Sequence, residues 1–173
     1  MTRKMIFSLC VFIFSLSVAA FSQVTPVTVA YVNTTELLNA LPEKEQATQQ
    51  LTALSESYKK ELEVIQNDYN KKYSDYITYQ SNLAENIKLR RMQELTELEK
   101  HMQEFMQLAQ RDIEEQEKVL LQPLKQKITD AIRIVGIEQN FTVIYDLANP
   151  GIAFLAPSAV DANPYVRQKL GIR

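Results

Sequence analysis

From Pro42 to about Gln80 the chain contains neither proline nor glycine. An uninterrupted run of that length, rich in Leu, Glu, Gln and Lys, predicts one long helix. Apolar residues recur at Leu51, Leu54, Tyr58, Leu62, Ile65, Tyr69, Tyr73 and Tyr76, in steps of three and four. The pattern is an eleven-residue repeat, ~3.67 residues per turn, so the seam should be nearly straight or weakly right-handed. At ~1.5 Å per residue the helix would be ~58 Å long.

Gln80-Ser81-Asn82 breaks the pattern and reads as a hairpin tip, with Ser81 or Asn82 capping the return helix. The return helix is expected from about Leu83 to Gln139, ~85 Å if straight. Its stripe is Leu95, Leu98, Met102, Phe105, Ala109, Ile113, Gln116, Leu120, Leu124, Ile128, Ala131 and Val135. Pro123 removes a backbone hydrogen bond and clashes one turn back, which predicts a kink. Asn140 suits a left-handed cap.

The two ends of the chain are different. Val27 to Val32 reads as a strand, with Asn33 or Thr34 capping a short helix through Leu41 and Pro42 opening the next. Phe141 to Tyr145 is a second strand, Asn149-Pro150-Gly151 a type II turn, and Ile152 to Leu155 a returning strand. Asp161 should cap a final helix with Pro164 near its start and Gly171 after it. Strands at opposite ends of a chain meet only if the long helices fold back antiparallel. The expected fold is therefore mostly α with a small β part: a long antiparallel helical hairpin, a coiled-coil tentacle over residues 42–139, on a small three-stranded α/β base from 23–41 and 140–173. These strands are nearly continuously apolar, so both sheet faces should be buried. A base this small lacks helices to cover both, which predicts burial against copies of itself through Val27, Val29, Tyr31, Phe141, Val143, Tyr145, Ile152 and Phe154.

Residues 1–22 read as a secretion signal: Arg3 and Lys4, then an uncharged stretch from Met5 to Ala20 closed by small residues. Cleavage is expected after Ser22, with Ala20 the second choice. The alternative, a retained membrane anchor, is disfavoured by the shortness of the stretch. The single cysteine, Cys10, lies inside it, so the mature chain has no disulfide, thiol nucleophile or thiolate ligand. Export without disulfides fits a bacterial periplasm. Without Arg3 and Lys4, 17 of the 19 basic side chains remain against 21 acidic ones, a net charge of −4. That balance argues against a nucleic-acid partner.

Little in the sequence points to catalysis. The one histidine, His101, stands among Glu97, Glu99 and Glu104 and reads as a solvated side chain rather than a metal ligand. No Ser/His/Asp set is evident, and three scattered glycines make no phosphate loop. No cofactor, metal or enzymatic role is expected.

The signal, the strand-to-cap run VAYVNTTELLNALPE, the charged hairpin, the closing run NFTVIYDLANPGIAFL and the short last helix together resemble the Skp family of periplasmic chaperones, also called the OmpH family. The resemblance covers essentially the whole mature chain, through the order of elements rather than one sharp motif. It implies a homotrimer whose hairpins surround a cavity that holds unfolded outer-membrane proteins without ATP. One departure stands out: well-known members are basic with positive tips, whereas this chain is acidic and its tip carries only Lys88, Arg90 and Arg91 with Glu85 nearby. Membrane-surface contact by those three is thereby left open.

Under that reading, tyrosine and methionine near the tip suit an adaptable client surface. Tyr58, Tyr69, Tyr73, Met102 and Phe105 lie on the apolar stripe and are expected in the seam. Tyr76, Tyr79, Met92 and Met106 are the client-binding candidates. A structural coiled-coil scaffold of the cell envelope is the competing function; regular charges flanking an unbroken seam would favour it.

Overall fold

The computed structural model describes residues 27–172. The expected signal, its cleavage point and Cys10 lie outside the described residues. Strand β1 (Val29–Val32) is followed by helix α1 (Thr34–Asn39), helix α2 (Pro42–Tyr79), a 3-10 turn (Gln80–Asn82), helix α3 (Glu85–Glu138), strands β2 (Val143–Asp146) and β3 (Val160–Asp161), and helix α4 (Asn163–Leu170). Helices α2 and α3 have 38 and 54 residues, ~57 and ~81 Å along their axes.

The expected hairpin is present, and its tip falls at Gln80–Asn82. The cap of the return arm differs from expectation. Leu83 and Ala84 are extended, Ala84 is the N-cap, and no side chain caps it. The 3-10 turn consumes Ser81 and Asn82, so neither is left at the position from which a side chain reaches the first free N–H groups. At the other end Asn140 has φ 54, and the Phe141 N–H donates to the Gly136 carbonyl at 3.0 Å. This is the expected left-handed closure. Helix α3 runs through Pro123.

The seam follows the sequence stripe with two exceptions. Leu51, Leu54, Tyr58, Leu62, Ile65, Tyr69 and Tyr76 are partly buried on α2, and Leu95 and Ala109 are buried on α3. Tyr73 is instead about half exposed, stacked on Tyr69 with centroids 6.0 Å apart. Gln116 is exposed; an amide gains nothing from the seam without a partner there. Two tyrosines eleven residues apart fasten the arms. Tyr58 donates to Asp112 at 2.6 Å and Tyr69 to Glu99 at 2.5 Å. The Tyr58 ring also meets Phe105 edge-on at 5.8 Å. At the root, Lys127 pairs with Glu43 at 2.6 Å.

The sheet has the order β2-β1-β3, and both pairings are parallel. Parallel neighbours need a long crossover; here the entire hairpin connects β1 to β2. The third strand is not Ile152–Leu155, as the apolar run suggested, but Val160–Asp161. A strand straight after the 149–152 turn would run back beside β2. The chain instead uses residues 147–159 to cross to the other edge of β1, where the Ala162 N–H donates to the Tyr31 carbonyl at 2.9 Å. The preceding turn is not type II either. Gly171 is the glycine with positive φ, whereas Gly151 donates its N–H to Asn149 Oδ1 at 3.1 Å. The asparagine side chain closes the turn, so the glycine needs no left-handed backbone.

One face of the sheet forms the core. Ala30 and Val32 pack with Leu37, Leu41, Ile128, Ala131, Val135 and Val166, all buried. At the carboxyl ends of the strands a set of polar side chains locks the base. Asn33 caps α1 by accepting from the Glu36 N–H at 3.2 Å, while its own N–H donates to Asn163 Oδ1 at 2.9 Å. Asp146 accepts from the Thr34 N–H at 3.0 Å and its hydroxyl at 2.6 Å. Asp161 accepts from the Asn163 N–H at 2.9 Å, one residue ahead of the expected capping geometry, because Ala162 occupies the N-cap itself. Gly171 ends α4 with φ 72.

Burial raises the Asp146 pKa, but the bonds from Thr34 and the Ala148 N–H outweigh it and hold the carboxyl below its ordinary value of 3.8. A lowered folded pKa adds stability above the unfolded value and loses it as pH falls through the folded one. The urea midpoint should therefore drop in acid below the ordinary aspartate value, and less so in Asp146→Asn. Asp146→Ala should cost ~1–3 kcal/mol at neutral pH. A variant as stable as the parent would contradict this lock. Tyr58 and Tyr69 show the opposite sign: bonding to Asp112 and Glu99 raises both above 10.0. Their contribution is complete below the unfolded tyrosine pKa and disappears as pH rises through the raised value. The thermal midpoint of the arms, followed by circular dichroism, should fall in strong alkali, and Tyr58→Phe with Tyr69→Phe should lessen that fall.

Candidate functional site

Two surfaces stand out, one on the base and one on the arms. On the base, alternation along β1 turns Ala30 and Val32 into the core, so Val29 and Tyr31 point the other way. Their register partners are Val143 and Tyr145. Among the described residues no helix covers this second face: Val29, Tyr31 and Val143 are partly buried and Tyr145 is exposed. The 151–159 loop stands beside it and completes a groove of about 750 Å³, lined by Val27, Tyr145, Ile152, Phe154 and Leu155 among others. Phe154 is 80% exposed.

Seven of the eight predicted oligomerisation residues are thus on or beside one open face. Phe141 is the exception. It precedes β2, packs against the core, and meets the Tyr165 ring edge-on at 6.3 Å. The alternation argument fails for it because the chain is still leaving the α3 cap at that residue.

On the arms, Tyr79, Met92 and Met106 are exposed, whereas Tyr76 is partly buried on the seam side. Sequence reasoning missed several exposed apolar residues, notably Val64, Leu108 and Val119, each more than half exposed. Leu108 and Val119 are eleven residues apart and so share a helix face under the repeat. The signal that would have found them was available: each is apolar and off the stripe. At the tip, Ile77, Ile87 and Leu89 add to Tyr79 and Met92.

The three tip cations are not free charges. Lys88 lies 3.6 Å from Glu85, Arg90 3.3 Å from Glu94 and Arg91 3.1 Å from Glu94. Burial raises the Glu94 pKa, but the two arginines outweigh it and lower it overall. Such exposed pairs stabilise the helix little, yet they offset two of the three positive charges. His101 is exposed. Among the described residues, no group of three or more His, Cys, Asp or Glu could hold a metal ion, and no helix is long and apolar enough to cross a membrane.

Similarity to known proteins bears on the same elements. No curated protein matches the sequence. A solved structure does match: a putative OmpH-like outer membrane chaperone from Caulobacter crescentus, with a TM-score of 0.70 at 16% identity, covering 84% of each chain. At that identity the likeness speaks for the fold. The family model for OmpH-like outer membrane protein matches residues 28–170, which spans every element from β1 to α4, and the chain therefore belongs to the OmpH-like family.

Proposed function

We propose that the protein is an ATP-independent holdase of the bacterial periplasm, exported and cleaved after Ser22, that keeps unfolded outer-membrane β-barrel proteins from aggregating. The observation that carries this reading is the open apolar face of the base. One protomer leaves Tyr145, Phe154 and their neighbours exposed to water, an unfavourable arrangement for a chain on its own. Three copies that bury this face against one another would direct three hairpins to one side. The resulting cavity would be walled by arms with scattered exposed apolar side chains. Many weak contacts of that kind suit an unfolded client of no fixed shape. Because the tip cations are already paired, the reading does not rely on attraction to anionic lipid.

Light scattering should give a mass three times that of the mature chain. Tyr145→Asp with Phe154→Asp should shift the protein to monomer and abolish its ability to suppress aggregation of an outer-membrane protein diluted from urea. Val64→Ser, Leu108→Ser and Val119→Ser together should leave the mass unchanged but weaken suppression. A stable monomer, or a trimer in excess that leaves aggregation unaffected, would rule the reading out; the second result would favour an envelope scaffold.

A further inference from the structure

We infer that Met92, Met102 and Met106 make the return arm an oxidant-sensitive segment whose conversion to methionine sulfoxide loosens the hairpin and releases client. The release half of this inference rests on the holding role proposed above. The loosening half stands on the structure of the arm.

Sulfur is confined to a short stretch. Besides Met1, Met5 and Cys10, the chain contains only these three sulfur atoms, all within residues 92–106 of α3. No cysteine among the described residues competes for a two-electron oxidant. Met92 and Met106 are 51% and 48% exposed, so their thioethers are open to reaction. Met102 is partly buried, on the seam one turn from Leu98 and Phe105, and should react later.

The oxidant is hypochlorous acid. Its oxygen ends on sulfur: an S–O bond forms and the O–Cl bond breaks. Sulfur loses two electrons, chlorine leaves as chloride, and the proton goes to water. The product carries a polar oxygen where an apolar, flexible side chain stood, and methionine sulfoxide reductases can reverse it.

Position decides the consequence. Above the base, the seam on α3 buries only Leu95 and Ala109. Met102 lies between them, next to Glu99, which holds Tyr69 at 2.5 Å. A sulfoxide oxygen there puts a polar acceptor into the seam and weakens a stretch with few buried contacts to spare. At Met92 and Met106 the same change makes an exposed apolar surface polar.

The assembled mature protein is treated with limiting hypochlorous acid and followed by peptide mass spectrometry, hydrogen exchange and aggregation suppression. Met92 and Met106 should gain oxygen before Met102. Exchange near residues 95–109 should accelerate when Met102 reacts, and suppression should fall several-fold. A variant with all three changed to Leu, a volume-conserving swap, should suppress equally well with and without oxidant. Complete oxidation with unchanged exchange and suppression overturns the inference, as does an equal loss in the Leu variant. If untreated protein suppresses nothing, the holding role and with it the release step fail. The oxidation order and the exchange at 95–109 then decide the loosening alone.

Discussion

Strand β1 is flanked on both sides by strands from the far end of the chain, and the rest of the structure depends on that pairing. Val29–Val32 pairs in parallel with Val143–Asp146 on one edge and Val160–Asp161 on the other. Two chain ends separated by the whole hairpin can meet only if α2 and α3 return to the same point. The polar lock of Asn33, Thr34, Asp146, Asp161 and Asn163 fixes that meeting, since each of its bonds to residue 146 or 163 from β1's end spans more than a hundred residues. The contacts that define the fold are thus few and nonlocal, and the long helices give the pairing its geometry.

Stability is unevenly distributed as a result. Nearly all fully buried side chains belong to the base cluster around Leu37, Val32, Val135 and Val166. The arms have a partly buried seam, two tyrosine–carboxylate bonds and exposed ion pairs. Regions with little buried apolar area open locally at low free-energy cost. A well-packed base with sparsely packed arms is consistent with the holding role proposed above, for which exposed apolar residues along the arms need not form one continuous patch.

The electrostatics support the same division. On the base, Asp146 and Asp161 accept from backbone N–H groups and serve the fold. On the arms, they pair with nearby cations or accept from tyrosines across the seam. At the tip this pairing sets Lys88, Arg90 and Arg91 against only Glu85 and Glu94, with Glu94 shared by both arginines. A chain with net negative charge thus presents an apolar tip whose cations are largely, not wholly, offset, which sets it apart from the basic tips of the family's well-known members.

The sequence by itself determined the hairpin, its tip, the stripe of the outgoing arm, and the Asn33 and Asn140 closures. All of these are local: helical period, caps and breakers act within a few residues, so they are legible without the fold. It also pointed to most of the residues on the open base face, because strands this apolar on both sides need more cover than so small a base supplies. Only the tertiary structure decided which short segment became the third strand, that the sheet is parallel, that Phe141 turns to the core and that Gln116 stays exposed beside the seam. Ile152–Leu155 has better strand composition than Val160–Asp161, yet the free edge of β1 accepts the segment that the Asn33–Asn163 and Ala162–Tyr31 hydrogen bonds deliver to it. Pairing across a long crossover depends on where two distant pieces of chain come together, and no local preference contains that information.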